Sequence, residues 1–158
     1  MQFQLLDRIT SCVPGKELAG KKRLTLAEEY LADHFPGFPI MPGVLQLQSL
    51  IEAGCWLLRI TDEFQYSVVV VREVKTVKYG TLMQPGKVLD VAVELASRNG
   101  PVAVIKGKGE AEGIQTVSAQ FSLQCYNLRD RNPVLADRDL QMVKHFRDLH
   151  LLLSGRLG

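Results

Sequence analysis

In the stretch HFPGFPIMPGVLQLQSLIEAG, residues 34–54, His34 is followed by three prolines and two glycines within nine residues, then by a long run with almost no charge. Proline fixes φ, so Pro36 and Pro39 stiffen the chain that carries the imidazole. Pro42-Gly43 opens the apolar run. Read as a helix start, that point offers amides without internal partners and the positive end of a dipole. Glycine at position 43 lets an acceptor approach the backbone closely. Such a terminus, shielded from water, polarises a carbonyl oxygen on which negative charge develops. An imidazole held beside it is the arrangement that removes a proton α to a carbonyl. A lone histidine in a proline-rich loop is more often structural, so residue types alone leave both readings open.

Positioning that histidine requires a helix. From Gly43 to about Ile60 there is no proline, and Val44, Leu45, Leu47, Leu50, Ile51, Ala53, Cys55, Leu57 and Leu58 fall on nearly every side of a helical wheel. A helix apolar all round is a buried helix. Gln48 and Glu52 interrupt it four residues apart, one turn from each other on one face. Buried together, an amide and a carboxylate are costly unless satisfied. They bond each other and nearby backbone, or they line a cavity.

The helix in turn needs a sheet. Leu89, Val91, Val93 and Leu95 alternate with Asp90, Ala92 and Glu94, the period-two signal of a half-buried strand over Val88 to Ala96. Asn99-Gly100 is a tight-hairpin dipeptide. A second strand runs from Val102 to Ala111, Glu112-Gly113 turns it, and a third places Val117, Ala119, Phe121, Leu123 and Cys125 on one face. Three antiparallel strands with one wet face need an apolar cover on the other, which the helix supplies. Upstream, Phe3 to Ile9 and Gly20 to Leu26 read as strands joined at Pro14-Gly15. Val68 to Val71 and Val74 to Tyr79 read as one long strand with a bend, and Gln84-Pro85-Gly86-Lys87 as a turn. After Pro133, Leu140, Val143, Phe146, Leu149 and Leu153 recur at helical spacing, with Asp137 as N-cap. This helix is amphipathic and reads as a packing element, with a lid or partner-binding role as the alternative; His145 and His150 on it read as surface or packing residues.

Composition excludes several classes. With 158 residues, 46% hydrophobic and 23% charged, the chain reads as one globular domain. A net charge of +2, with Lys21, Lys22 and Arg23 as the one tight basic run, argues against nucleic acid. Three cysteines, Cys12, Cys55 and Cys125, with no CxxC pair, fit neither a disulfide framework nor a zinc site, and no metal or organic cofactor is expected. The N-terminus lacks the pattern of a signal peptide and no apolar run is long enough to span a membrane, so a cytoplasmic protein with no membrane partner is expected.

The stretch HFPGFPIMPGVL strongly resembles the signature of the 3-hydroxyacyl-acyl-carrier-protein dehydratases, bacterial fatty-acid enzymes with a hotdog fold. The family pattern, His-Phe-Pro-Gly-x-Pro-Val/Ile-Met-Pro-Gly-Val-Leu, is matched throughout. LLDRI near the N-terminus resembles the family's first strand, and the central helix, the Gln-Pro-Gly-Lys turn and the strands follow the family order. The resemblance covers residues 1–127 as a hotdog dehydratase-like domain; residues 128–158 form a C-terminal amphipathic helical extension beyond the usual family length. It implies an α+β hotdog fold, an antiparallel sheet wrapped around one long central helix, with the C-terminal helix added. Two such units pair edge to edge, and the site lies at their interface beside an acyl tunnel. The implied reaction eliminates water from a 3-hydroxyacyl thioester to give a trans-2-enoyl thioester, in fatty-acid or related lipid or polyketide biosynthesis. The carrier would be acyl carrier protein or coenzyme A, and the assembly a homodimer, a trimer of such dimers, or a heterodimer.

Carried over by position, His34 matches the family's catalytic histidine, and the Gly43 amide matches the donor to the thioester carbonyl. The third member stands fourteen residues after the histidine, on the other subunit's helix, and is Glu or Asp in the family; here it is Gln48. Phe38, Pro42, Val44 and Trp56 are candidate substrate-binding residues, and Asp33 is a candidate to orient His34. Glutamine cannot protonate a leaving hydroxyl, which leaves three readings. Gln48 holds the hydroxyl or a water while His34 handles the proton; or Glu52 takes the acid's place from one turn away; or the fold keeps its acyl pocket without the dehydratase chemistry. In the last case the chain is an acyl-thioester binding protein, a thioesterase, or the incomplete subunit of a heterodimeric dehydratase.

Overall fold

The computed structural model describes residues 4–156. Strands β1 (Arg8–Val13) and β2 (Glu17–Arg23) form the first hairpin, followed by the short helix α1 (Tyr30–Asp33) and the long helix α2 (Gly43–Thr61). Then come β3 (Val68–Tyr79), β4 (Val88–Asn99), β5 (Val102–Ala111) and β6 (Ile114–Tyr126), two 3-10 turns, and helix α3 (Ala136–Leu153). The six strands make one antiparallel sheet in the order β1-β2-β4-β5-β6-β3.

The alternation in β4, β5 and β6 sends Leu89, Val91, Val93, Ala103, Ile105, Phe121 and Leu123 inward against Leu50, Ala53, Leu57 and Leu58 of α2. The helix lies close on the sheet. A Cβ built on Gly54 would come within 3.1 Å of both Leu123 and Phe121, so glycine there sets the depth of contact. At the far end of α2, Arg98 of β4 clamps Asp62 with two 2.8 Å hydrogen bonds, the bidentate geometry that fixes orientation. The architecture is therefore α+β, a sheet wrapped around one central helix with a second helix added, as expected.

Three local expectations are corrected. The first strand is β1, not Phe3 to Ile9: Leu5 and Leu6 are buried, but their amides donate to Glu52 Oε2 at 2.8 and 3.2 Å. That segment docks on α2 instead of joining the ladder, and Phe3 lies outside the described residues. The second strand runs from Glu17 to Arg23, not from Gly20 to Leu26; Leu24 follows it, its amide donating to the Lys87 carbonyl at 3.0 Å just before β4 begins. Asp137 is not the N-cap of α3; Leu135 holds that position because the 3-10 turn Pro133–Leu135 runs straight into the helix.

Helix α2 is not covered on every side by its own chain. Val44 is 67% exposed, and Leu45, Leu47 and Gln48 are only half-buried. The adjoining edge strand β3 is exposed from Val70 to Tyr79 and carries Val70, Val71, Val74 and Val77 on that open edge. The C-terminal residues cover a different part of the helix. Asp139 is buried and accepts from the Ser67 hydroxyl and from the amides of Leu128 and Arg129 at 2.9 and 3.0 Å. Burial alone would raise its pKa, but those donors outweigh it and hold the carboxyl below its ordinary value. Phe146 meets Trp56 edge to face at 6.0 Å, and Leu153 reaches the core.

Candidate active site

His34 sits immediately after α1, with its backbone N–H donating to the Tyr30 carbonyl at 3.2 Å. Phe35 then takes a φ of 52°, an uncommon conformation for a bulky side chain that a loop holds only when its surroundings dictate it. The surroundings here are the Phe38 amide bonded to the Phe35 carbonyl at 2.8 Å and the Met41 amide bonded to Met83 at 2.8 Å. The rigid loop turns His34 back toward the start of α2. Its ring packs edge to face on Phe35 at 4.6 Å, and no hydrogen bond joins it to Asp33 among the described residues.

Pro42 is the N-cap of α2. The amides of Leu45 and Gln46 both donate to its carbonyl, at 3.0 and 3.2 Å, so the leading amides of Gly43 and Val44 are the ones a helix leaves for an outside acceptor. His34, Gly43, Val44 and Gln46 line one cleft of about 350 Å³ with Tyr79, Leu82 and Thr116. An imidazole and the positive end of a nineteen-residue helix thus border the same space. A Cβ on Gly43 would fall 2.8 Å from the Tyr79 ring, so a larger residue there must displace that ring from the helix start.

Gln48 and Glu52 line a different cavity, of about 130 Å³, shared with Gln4, Cys55, Trp56, Arg59, Val69, Phe146 and Leu149. Within one chain they do not meet His34. Burial raises the Glu52 carboxyl pKa, opposed by its bonds from Leu5 and Leu6 and by Trp56 and Lys22. Of the substrate-binding candidates, Val44 lines the histidine cleft and Trp56 the smaller cavity. Phe38 is 51% exposed on the loop, and Pro42 caps the helix. A hollow of about 420 Å³ on the outer side of β1, β2, β4 and β5 is bordered by Glu17, Glu94, Lys106 and Lys108 and holds neither a histidine nor a helix start.

Two residues passed over in the sequence belong beside these clefts. Gln46 is 4% exposed, its Oε1 has no hydrogen-bond partner among the described residues, and it borders the histidine cleft. Arg59 is 7% exposed with an unpartnered Nη1 and borders the Gln48 cavity. For Gln46 the signal is present in the sequence, because any polar residue in the middle of so apolar a helix is informative, and not only Gln48 and Glu52.

An antiparallel sheet around one long helix defines a hotdog-fold protein, here with the helix's first residue and a loop histidine on one cleft. Residues 1–120 match the FabA-like domain family. The chain is 32% identical over 118 residues to the 3-hydroxyacyl-[acyl-carrier-protein] dehydratase FabZ of Clostridium acetobutylicum, spanning 75% of this chain and 84% of that protein. It is 34% identical over 120 residues to the FabZ of Erythrobacter litoralis, spanning 75% and 80%. Among solved structures it is similar to the dehydratase heterocomplex ApeI:P from Xenorhabdus doucetiae, with a TM-score of 0.61 at 15% identity over 77% of this chain and 99% of that one. It is also similar to a Streptococcus mutans protein bound to acetyl CoA, with a TM-score of 0.62 at 12% identity over 80% and 93%. The two structural likenesses bear on the fold alone. The chain belongs to the family of the 3-hydroxyacyl-acyl-carrier-protein dehydratases. No helix among the described residues is long and apolar enough to cross a membrane.

Proposed function

We propose that the protein is a 3-hydroxyacyl-thioester dehydratase whose site is completed across a dimer, and that it is slow on its own because Gln48 replaces an acid. The observation that carries this reading is the single cleft bordered by His34 and the Gly43 amide. The Gly43 N–H receives the thioester carbonyl and stabilises the charge that develops on its oxygen. His34 removes a proton from C2, the C3–O bond breaks, and the same imidazolium returns that proton to the departing hydroxyl as water. The Gln48 amide of the second subunit donates to the hydroxyl oxygen and orients it without supplying a proton. The long unpaired edge of β3, with Val70, Val71, Val74 and Val77 exposed among charged residues, and the half-covered face of α2 support a second copy as that subunit, since such an edge templates pairing. Glu52 holds Leu5 and Leu6 and serves the fold.

A second reading rests on the same residues. With Gln48 unable to act as an acid and Glu52 engaged by two backbone amides, a related chain carrying a carboxylate in place of Gln48 would complete the site as a heterodimer.

Enoyl-thioester absorbance separates the two. The purified protein mixed with 3-hydroxyacyl thioesters is expected to develop it slowly, and His34→Asn to abolish it. Acyl-thioester binding with no enoyl product at any chain length would overturn the dehydratase reading for this chain alone.

A further inference from the structure

The proposed reaction leaves one buried charge without a task. Arg59 is 7% exposed, its Nη1 has no acceptor among the described residues, and burial pulls its pKa below the ordinary arginine value. Its guanidinium lies 3.7 Å over the centroid of the Phe146 ring, which covers one face and supplies no acceptor. Glu52 borders the same cavity, but no ion pair or hydrogen bond joins it to Arg59 among the described residues; its Oε2 accepts from Leu5 and Leu6. A guanidinium stays charged in a protein, and a buried charge without an acceptor is costly.

Its position along α2 suggests what the acceptor is. Gln48, Glu52, Cys55 and Arg59 recur at spacings of four, three and four, so they form one stripe on the helix, and all four border the cavity. Arg59 lies eleven residues beyond Gln48, about 16 Å along the axis, and helical side chains lean back toward the N-terminus. The stripe therefore leads from the residue that holds the substrate hydroxyl to a cation. Phe146 and Leu149 of α3 border that end, and α3 lies beyond the residues matched by the family. The α3 side chains at that end come from a part of this chain that the family match does not include, while Arg59 itself lies within it.

We infer that the groove beyond Gln48 takes acyl chains whose distal end is a carboxylate, bound by Arg59 under the α3 roof. A guanidinium fork fits a carboxylate through paired N–H donors, whereas a terminal methyl would displace solvent and leave the cation without an acceptor. The inference rests on the acyl-thioester reading above and names its substrate class.

Trp56 is the one tryptophan of the chain and borders the cavity, so its fluorescence reports occupancy without turnover. The test titrates the protein with saturated acyl thioesters that lack a 3-hydroxyl, in pairs of equal length ending in methyl or in carboxylate. Wild type is expected to bind the carboxylate member about tenfold tighter or better. Arg59→Met, which keeps the stem and removes the charge, is expected to reverse the order. Equal binding, a methyl preference, or no binding of either member by wild type overturns the inference, and the wild-type comparison alone decides if the variant does not fold. A carboxylate preference without any dehydration of the hydroxylated counterparts would sink the dehydratase reading and leave this one standing.

Discussion

Replacing Gln48 with glutamate tests the proposed cause of slow turnover. The introduced carboxyl would stand one helical turn, about 6 Å, from Glu52, whose carboxyl pKa is already raised by burial and which is fixed to the N-terminal backbone. At an effective dielectric of about 20, two carboxylates at that separation repel by about 3 kcal/mol, or about two pH units in proton affinity. From an ordinary value of about 4.3, this moves the new group to about 6, where a useful fraction is protonated at neutral pH. A positioned acid typically contributes about 10² to 10⁴ in rate. The expected result is a gain of about 10²-fold or more in kcat, with KM changed far less, since the hydroxyl keeps a hydrogen-bond donor. The assay is enoyl-thioester absorbance under saturating substrate, across the pH range in which the new acid titrates. A falling kcat/pH limb near 6 to 7 is expected in the variant and not in wild type. Unchanged or lower kcat in a folded Gln48→Glu dimer would refute the reasoning, because the amide would then have a task that an acid cannot perform.

Other expectations follow from the same contacts. Glu52→Ala strips the acceptor from Leu5 and Leu6 and is expected to destabilise the fold by about 1–3 kcal/mol and to speed hydrogen exchange at those amides; loss of activity with both unchanged would instead place Glu52 in the chemistry. Gly43→Ala forces a Cβ into the Tyr79 ring and is expected to cost about 10²-fold in kcat through a displaced donor, with partial recovery when Tyr79→Ala is added. His150 lies against Trp56 and Phe64 at 6.2 and 5.6 Å. Burial, with the nearby charge of Arg156, pushes its pKa down. Its contribution to holding α3 is therefore full above about 6.5 and lost as pH falls through the lower folded value. Trp56 fluorescence is expected to report α3 loosening in that window, and His150→Phe to remove the step.

Much of the frame was legible because its signals are local. Asn99-Gly100 and Glu112-Gly113 bend the meander where the chain turns, and the alternation from Val117 to Cys125 puts the buried side chains on the face that meets α2. The N-terminal strands were misplaced because Leu5 and Leu6 have a strand-like apolar pattern while their amides are taken by Glu52, a partner 46 and 47 residues away. The start of α3 was misplaced because a helix-favouring aspartate two residues in looks like a cap when the preceding 3-10 turn is not foreseen. At the site, the proline-stiffened loop and Pro42-Gly43 were readable as a unit, and both border the histidine cleft. Arg59 was not readable, since an arginine near a helix end is ordinarily solvated, and Phe146, which covers one face of its guanidinium, is far away in sequence.

Proton removal at C2 is the step on which the account turns, and it can be followed independently of how the hydroxyl leaves. A 3-hydroxyacyl thioester incubated with the protein in heavy water is examined by mass spectrometry for deuterium at C2. Incorporation is expected with wild type and none with His34→Asn, while both proteins still bind the thioester. Incorporation at an undiminished rate in His34→Asn, or none in wild type despite binding, would contradict it.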